Sequence, residues 1–501
     1  MKLAVLLCVG CGLAAAARPP VYDVRFFGAA GNGSANDTAS LQQAIDAAHG
    51  AGGGVVYFPP GRFLTGTIHL KSNVTVRLSP GATLLGSGRI EDYAPRHLIY
   101  ARGAKNIAIE GGGVIDGNGG AFWVSREIPK DRPSPLIELV ECQDVRIENV
   151  RILNAPGWML HPLVCERVTI RGVTMIAPLE WYNTDGIDPD SCRNVRISDC
   201  YIRAGDDCIV LKTSGRLGLP APPCENITVT NCVLASAASG LKLGTESHGD
   251  FRNCAFSNCV ITDTWNGLGI FAKDGGTFEN IRFSNISIRL KPMGRGYVNE
   301  WPIFIDLEKR QPDSRVSTVR DVRYEDIVIH SQGRVLMAGM PDQPLESISL
   351  RNVLFRVTGF EEIAKTNKPR GGRAQPVTRE TNYGPAPAAM AFANIRGLEL
   401  DGVRVTWDAP EPMPDRHAIY ASGVERLLIR GFRGRPAGSL AAIGLDRTQD
   451  VLVTASQAVA PTATWIGLRA VPEKEIVLKD NDLRSAGRVI SQGDVYVHLP
   501  E

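Results

Sequence analysis

Aromatic residues are scarce in this chain of 501 residues, where Phe, Tyr and Trp together make up 7%. Excess charge of either sign is missing too: 55 Lys and Arg stand against 53 Asp and Glu. A nucleic-acid binder usually carries a strong basic excess, so nucleic acid is not expected as a partner. After the N-terminus no apolar run approaches the length of a membrane-crossing helix, so no membrane span is expected. The eight histidines are scattered, and beyond the N-terminal run no close pair of Cys or His has zinc spacing; neither a metal nor another cofactor is expected. What is abundant is glycine, at 52 residues, which suits a turn-rich β architecture.

The first twenty residues, MKLAVLLCVGCGLAAAARPP, stand apart. One Lys precedes an apolar run from Leu3 to about Ala16, then small residues and Arg18-Pro19-Pro20. This is the grammar of a signal peptide at residues 1–17, cleaved near Ala17, and implies a secreted or periplasmic protein. Cys11 could belong to a lipoprotein box, but Cys8 stands where Leu is usually wanted, so lipidation is the lesser expectation.

The rest, residues 18–501, reads as one repeat array. A phrase of one apolar or Cys residue, two polar residues and strand-like alternation recurs. It appears as Cys142-Gln-Asp-Val-Arg-Ile, Cys165-Glu-Arg-Val-Thr-Ile, Cys192-Arg-Asn-Val-Arg-Ile, Cys224-Glu-Asn-Ile-Thr-Val, Phe251-Arg-Asn-Cys-Ala-Phe and Phe278-Glu-Asn-Ile-Arg-Phe. The spacings are 23, 27, 32, 27 and 27 residues. Weaker copies begin at Lys71, Ala104, Val319, Leu345, Val424 and Thr448. A coil of this size cannot bury its own apolar face, whereas stacked coils bury a continuous core. The expected fold is all-β: a right-handed parallel β-helix with an N-terminal capping helix.

Nine of the 11 cysteines lie between Cys142 and Cys259. An odd count forbids complete internal pairing. Stacking explains them as small buried residues, with Cys142, Cys165, Cys192 and Cys224 in one internal ladder and Cys200, Cys232 and Cys259 in another. Near the N-terminus Leu41, Ala44, Ile45 and Ala48 share one helical face, with Asp37 or Thr38 available to cap the helix. Residues 287–316 and 360–390 break the rhythm and are expected to project as loops that could close one end of a cleft.

The strongest constellation for chemistry is Asn183-Thr184-Asp185-Gly186-Ile187-Asp188 followed by Gly205-Asp206-Asp207-Cys208. Asp185 and Asp206 are 21 residues apart, close to one coil, so both can reach the same side of adjacent turns. Clustered carboxylates repel in their ionised form, and one tends to keep its proton. That supplies a proton donor beside a base, as glycosidic cleavage requires. Asp-rich turns also stabilise β solenoids without chemistry, or bind calcium. Strand alternation would send Asp206 and Asp207 to opposite faces, so a bulge or strand end must intervene if both act.

From about Val21 to Arg310 the chain resembles the polygalacturonase family, glycoside hydrolase family 28. The resemblance is carried by Phe27-Gly28-Ala29, Gly52-Gly53-Gly54-Val55, Gly66-Thr-Ile-His69-Leu-Lys-Ser-Asn73-Val, Gly81-Ala-Thr-Leu-Leu-Gly86-Ser, Gly113-Val-Ile-Asp116-Gly117, Trp123, Trp158-Met-Leu-His161-Pro and the two Asp motifs. It implies an inverting hydrolase without a metal, acting on pectin-type polysaccharide or oligosaccharide. Asp206 would be the general acid, Asp185 and Asp207 would position and activate water, and Asn183 would hold the cluster or the sugar.

Two family motifs are altered. Ser239, in Ala237-Ala-Ser239-Gly240-Leu-Lys242, stands where the resemblance leads one to expect His, and Phe271 stands where it leads one to expect Arg, while Lys273 is retained. The usual grip on a uronate is therefore weakened, which puts plain homogalacturonan in question. Lys212, Lys242, Lys273 and His248 are the candidates to bind substrate instead; a Lys can meet a sugar carboxylate as a point charge. His69 and His161 are expected to serve packing. The expected substrate is galacturonan or rhamnogalacturonan, and the protein is expected to be a monomer. Two alternatives stay open: a pectate-lyase-like enzyme using calcium and a basic residue, and a non-catalytic carbohydrate-binding β-helix.

Overall fold

The computed structural model describes residues 19–291, 300–360 and 387–496. The expected signal peptide lies outside them. Successive coils pair in parallel and build three sheet faces around a common apolar core, joined where strands such as Phe251–Thr264 run through a corner. The recurring phrase forms the first sheet, with strands such as Gln143–Glu148, Glu166–Arg171, Arg193–Ser198 and Cys224–Thr230. Its register is that of the repeat: Gln143 faces Glu166, which faces Arg193, which faces Glu225. The second sheet holds Arg151–Leu153, Thr174–Ile176, Tyr201–Ala204 and Val233–Ser236. The third holds Ile137–Val140, Leu160–Leu163, Ile209–Thr213, Ser239–Ser247, Asn266–Ala272 and Trp301–Leu307. This is a parallel β-helix.

The third position of the phrase has a structural reason. Asn194, Asn226, Asn253 and Asn280 all adopt left-handed backbone, with φ between 54° and 58°. Asn tolerates that region better than most residues. Their amides also join coil to coil, Asn226 donating to Asn194, Asn253 to Asn226 and Asn280 to Asn253 at 2.8–3.1 Å. The next residue in each strand turns inward. All nine cysteines of the described residues are buried free thiols, as the ladder reading requires. Further along, the core columns become aromatic, with Phe251 stacked on Phe278 at 4.5 Å and Phe256 on Phe283 at 4.8 Å. Such pairs add about 0.5–1.5 kcal/mol each beyond area burial.

A helix, Thr38–Gly50, covers the first coils with Leu41, Ala44, Ile45 and Ala48 buried. Its cap differs from expectation. Asp37 makes no side-chain bond to the helix; its carboxylate accepts instead from the Ala30 and Gly31 amides at 2.7 and 3.0 Å, tying down the preceding loop. Thr38 is spent on Asn36 and on the Gly66 amide. The two irregular segments also need correction at their edges. Residues 287–290 finish the strand Thr277–Leu290, and Trp301–Leu307 pairs in the third sheet, so 287–316 is not one loop. Residues 388–390 begin the strand Ala388–Asp401, while 361–386 lie outside the described residues. Among the described residues, no helix is long and apolar enough to cross a membrane.

Candidate active site

The acidic motifs sit where chain leaves the second sheet and enters the third. Tyr201–Ala204 ends before Gly205, and Ile209–Thr213 begins after Cys208. Asp206 and Asp207 therefore occupy a bend, free of strand alternation. Gly205 is required there, because a Cβ would come within 2.2 Å of the Trp181 carbonyl oxygen and 2.5 Å of the Thr184 hydroxyl. On the preceding coil Gly186 donates to the Asp207 carbonyl and Ile187 to that of Cys208, both at 2.9 Å. This register sets Asp185 beside Asp207. On the following coil Cys208 donates to the Ser239 carbonyl at 2.8 Å. One carboxylate oxygen from each of Asp185, Asp206 and Asp207 lies within 4.8 Å of the others.

Their environments differ. Asp185 and Asp207 are buried, and Asp206 is half-buried. Backbone amides fix both Asp206 oxygens: Asn183, with φ 55°, donates to Oδ2 and Asp207 to Oδ1, each at 3.1 Å. Asp207 accepts from the Ser239 amide at 3.1 Å and pairs with Lys242 at 2.7 Å. Burial alone would raise its pKa; Lys242 and Lys212 outweigh burial and hold it below the usual carboxylate range. Asp185 is pushed well above that range, first by burial and then by the negative charge of Asp188 and Asp206, although Lys212 lies 3.7 Å away. Lys212 also meets Glu246 at 3.4 Å and stays charged, its carboxylate neighbours overcoming burial. Asp188 is buried with neither oxygen hydrogen-bonded, and burial lifts its pKa to about 7 against the opposing pull of Lys212 and His161. Carboxylates outnumber cations in this pocket, so it holds at least one proton near neutrality.

The site thus brings together Asp185, Asp206, Asp207, Lys212 and Lys242, with Asn183 contributing its amide. Lys273 lies one coil on and is ion-paired with the buried Glu308. His248 is exposed beyond the strand end, its amide bonded to the Thr213 carbonyl at 3.0 Å, and touches none of the three aspartates. His161 does more than fill space. Burial opposes its charge, but Asp190 and Glu138, at 3.4 and 2.9 Å, push its pKa to about 9, giving a buried cation below Trp158. Sequence reasoning missed Asp188, Glu246 and Trp158, whose ring packs 4.5 Å from the Lys212 ammonium. Asp188 lies within the first acidic motif itself, and Glu246 in the same Thr-Glu-Ser-His stretch as His248. Trp158 belongs to one of the shared phrases.

The model of glycosyl hydrolases family 28 matches residues 56–367. The chain belongs to this family. Among curated relatives, a probable polygalacturonase of Vitis vinifera is 34% identical over 255 residues, which are 45% of this chain and 52% of the relative. An exopolygalacturonase of Arabidopsis thaliana is 30% identical over 253 residues, 48% of this chain and 56% of the relative. The chain thus spans about half the length of the curated relatives it matches. Among solved structures, a hyperthermoactive exopolygalacturonase from Thermotoga maritima has TM-score 0.58 at 25% identity, over 68% of this chain and 88% of that one. The family 28 exopolygalacturonase of Yersinia enterocolitica has TM-score 0.60 at 19% identity, over 83% of this chain and 78% of that one, and attests the fold.

Proposed function

We propose that this protein hydrolyses glycosidic bonds in pectin-type polysaccharide or its oligosaccharides, after export directed by residues 1–17, and acts as a monomer. The observation that carries the reading is the approach of the Asp185, Asp206 and Asp207 carboxylates to within 4.8 Å in three different environments. Asp206 is the half-buried member and the one able to reach a glycosidic oxygen; it gives that oxygen its proton as the C1–O bond breaks. Asp207, kept ionised by Lys242, takes the proton of the attacking water. Asp185, which retains a proton, orients the same water, and the proton that Asp207 takes returns to Asp206 to close the cycle. Lys212 and Lys242 supply positive charge inside the cluster, where the lyase alternative would place calcium.

The spacing favours a second reading on one point. Inverting pairs of carboxyl groups usually stand about 6.5–9.5 Å apart and retaining pairs about 5–5.5 Å. A cluster this tight admits double displacement through a glycosyl-enzyme ester at Asp207. Inversion remains the proposed course, because three carboxylates allow two to share one water. Proton NMR of the first product decides: the proposal expects the anomer opposite to the bond cleaved, and the same anomer would establish retention. Products absorbing as unsaturated uronides would defeat hydrolysis altogether.

A further inference from the structure

We propose that Arg216, seated on the Trp158 ring, binds the carboxylate of a uronate on the side of the aspartates away from Lys242 and so selects an acidic sugar there. This rests on the glycosidase reading and specifies one of its subsites. The strand Ile209–Thr213 follows the Asp206-Asp207 bend, and after it Gly215 takes left-handed backbone with φ 64°. Arg216 then opens the short turn Arg216–Gly218. Asp190 pins this turn, its carboxylate accepting from the Ser214 amide at 2.9 Å and from the Ser214 hydroxyl. Asp190 is held in its turn by His161, 3.4 Å away on the coil that carries Trp158. The Arg216 guanidinium thereby rests 5.0 Å from the Trp158 ring centre. The Lys212 ammonium lies 4.5 Å from the same ring and 3.7 Å from Asp185, so a single cation separates this ring from the acidic cluster.

Arg216 is the cation of this neighbourhood with capacity to spare. Lys242 pairs with Asp207, Lys273 with Glu308, and Lys212 is shared between Asp185 and Glu246. His161 lies between Glu138 and Asp190. The Arg216 side chain makes no hydrogen bond or ion pair among the described residues, and it and Trp158 are both half-buried, open to an incoming ligand. Stacking on the indole holds the guanidinium flat and leaves its N–H edge for a carboxylate, which it can meet with two parallel bonds. Burial first, and the charges of Arg216 and His161 after it, keep the nearby His97 imidazole below its usual pKa against the pull of the Pro135 carbonyl and Glu138, so His97 is neutral at pH 7 and does not share the load. A second guanidinium stands on this side. A Cβ on Gly157 would come within 3.1 Å of Arg132 Nε, which is buried without a hydrogen bond; Arg132 donates to the Pro129 carbonyl and meets no carboxylate among the described residues. The positive charge that Ser239 and Phe271 do not supply on one side of the aspartates is thus present on the other.

Calorimetric titration of the Asp206→Asn protein, chosen to suppress turnover, tests this. The probes are a homogalacturonan trisaccharide and its carboxyl-reduced counterpart, which share every linkage and differ in charge. The acidic probe should bind the more tightly. Arg216→Gln in the same background should weaken it by about tenfold or more and move the reduced sugar less than about twofold. Arg216→Lys, which keeps the charge and loses the fork, should fall between. Because the guanidinium makes no bond to the fold, Arg216→Gln should leave Tm within about 2 °C. Equal or tighter binding of the reduced sugar before substitution, an equal effect of Arg216→Gln on both probes, no effect on either, or binding of neither would overturn the proposal. A larger fall in Tm would mark Arg216 as a structural residue and overturn it as well. Failure of the unsubstituted protein to cleave any glycan would sink the glycosidase reading while leaving the measured preference standing.

Discussion

Replacing Lys242 by Met should raise the pH at which Asp207 becomes a working base. The ammonium lies 2.7 Å from Asp207 Oδ2, and both side chains are largely shielded, with 13% and 4% exposure. Unit charges about 4 Å apart attract by about 4 kcal/mol at an effective dielectric constant of 20, and each tenfold change in proton affinity corresponds to about 1.36 kcal/mol. Lys212 and the Ser239 amide remain to stabilise the ion, so the figure is an upper bound. The acidic limb of the kcat profile should move up by about two to three pH units, and activity above the new limb should largely return. Stability follows the same sign. Lys242 depresses the folded-state pKa of Asp207, so it stabilises above the unfolded carboxylate pKa and loses that contribution as pH falls through the folded one. The Tm deficit of Lys242→Met should be large at pH 7, begin to shrink where Asp207 of the variant takes up its proton, and vanish only below the depressed pKa of the unsubstituted protein. An unmoved acidic limb, or a Tm deficit independent of pH, would show that Lys242 merely packs and refute the reasoning.

Other perturbations have equally definite outcomes. Asp188→Asn should raise Tm at pH 8 more than at pH 4, because burial lifts the Asp188 pKa to about 7 and the folded state is penalised as pH rises above the unfolded value; thermal scans at both pH values check the sign. Reductant should leave Tm unchanged, since the nine described cysteines are buried free thiols, and a reductant-sensitive melt would contradict the ladder. Cys165→Ser places a hydroxyl where the thiol contacts the Leu139 carbonyl at 3.2 Å inside an apolar column, and should cost about 1–3 kcal/mol in denaturant unfolding. His161→Gln removes a buried cation from between Glu138 and Asp190 and should lower Tm most near pH 6, below the ordinary imidazole pKa of about 6.5, and progressively less as pH rises toward 9; an effect growing above pH 9 would contradict the charge assignment.

The coil architecture was legible because its period is written in side-chain types. The spacings between Cys142, Cys165, Cys192 and Cys224 are those of the observed register, and the cysteines line the interior. The Asn positions of the phrase were visible without their reason, since left-handed backbone is a property of the turn and not of composition. At the site, spacing brought Asp185 and Asp206 to adjacent coils, and the strand end at Ala204 supplied the irregularity that Asp207 needed. The ownership of charge was not legible. Nothing in the order of residues says that Lys273 is paired with Glu308, or that Phe271 folds over Gly269. The first joins coils 35 residues apart and the second lies within one strand, and both are set by packing outside the helix, where no repeat fixes the partner. Asp37 was misread for a similar reason: the loop amides of Ala30 and Gly31 compete with the helix for its carboxylate.

The central claim is that the three aspartates cut a glycosidic bond. Reducing-end release from purified pectin fractions, by the unsubstituted protein and by Asp206→Asn, tests it most directly. The unsubstituted protein should release reducing ends from at least one fraction. Asp206→Asn should be slower by about 10²–10⁴ in kcat, with KM little changed. Cleavage by Asp206→Asn at the unsubstituted rate would contradict the account, as would a folded, unsubstituted protein that releases no reducing ends from any fraction.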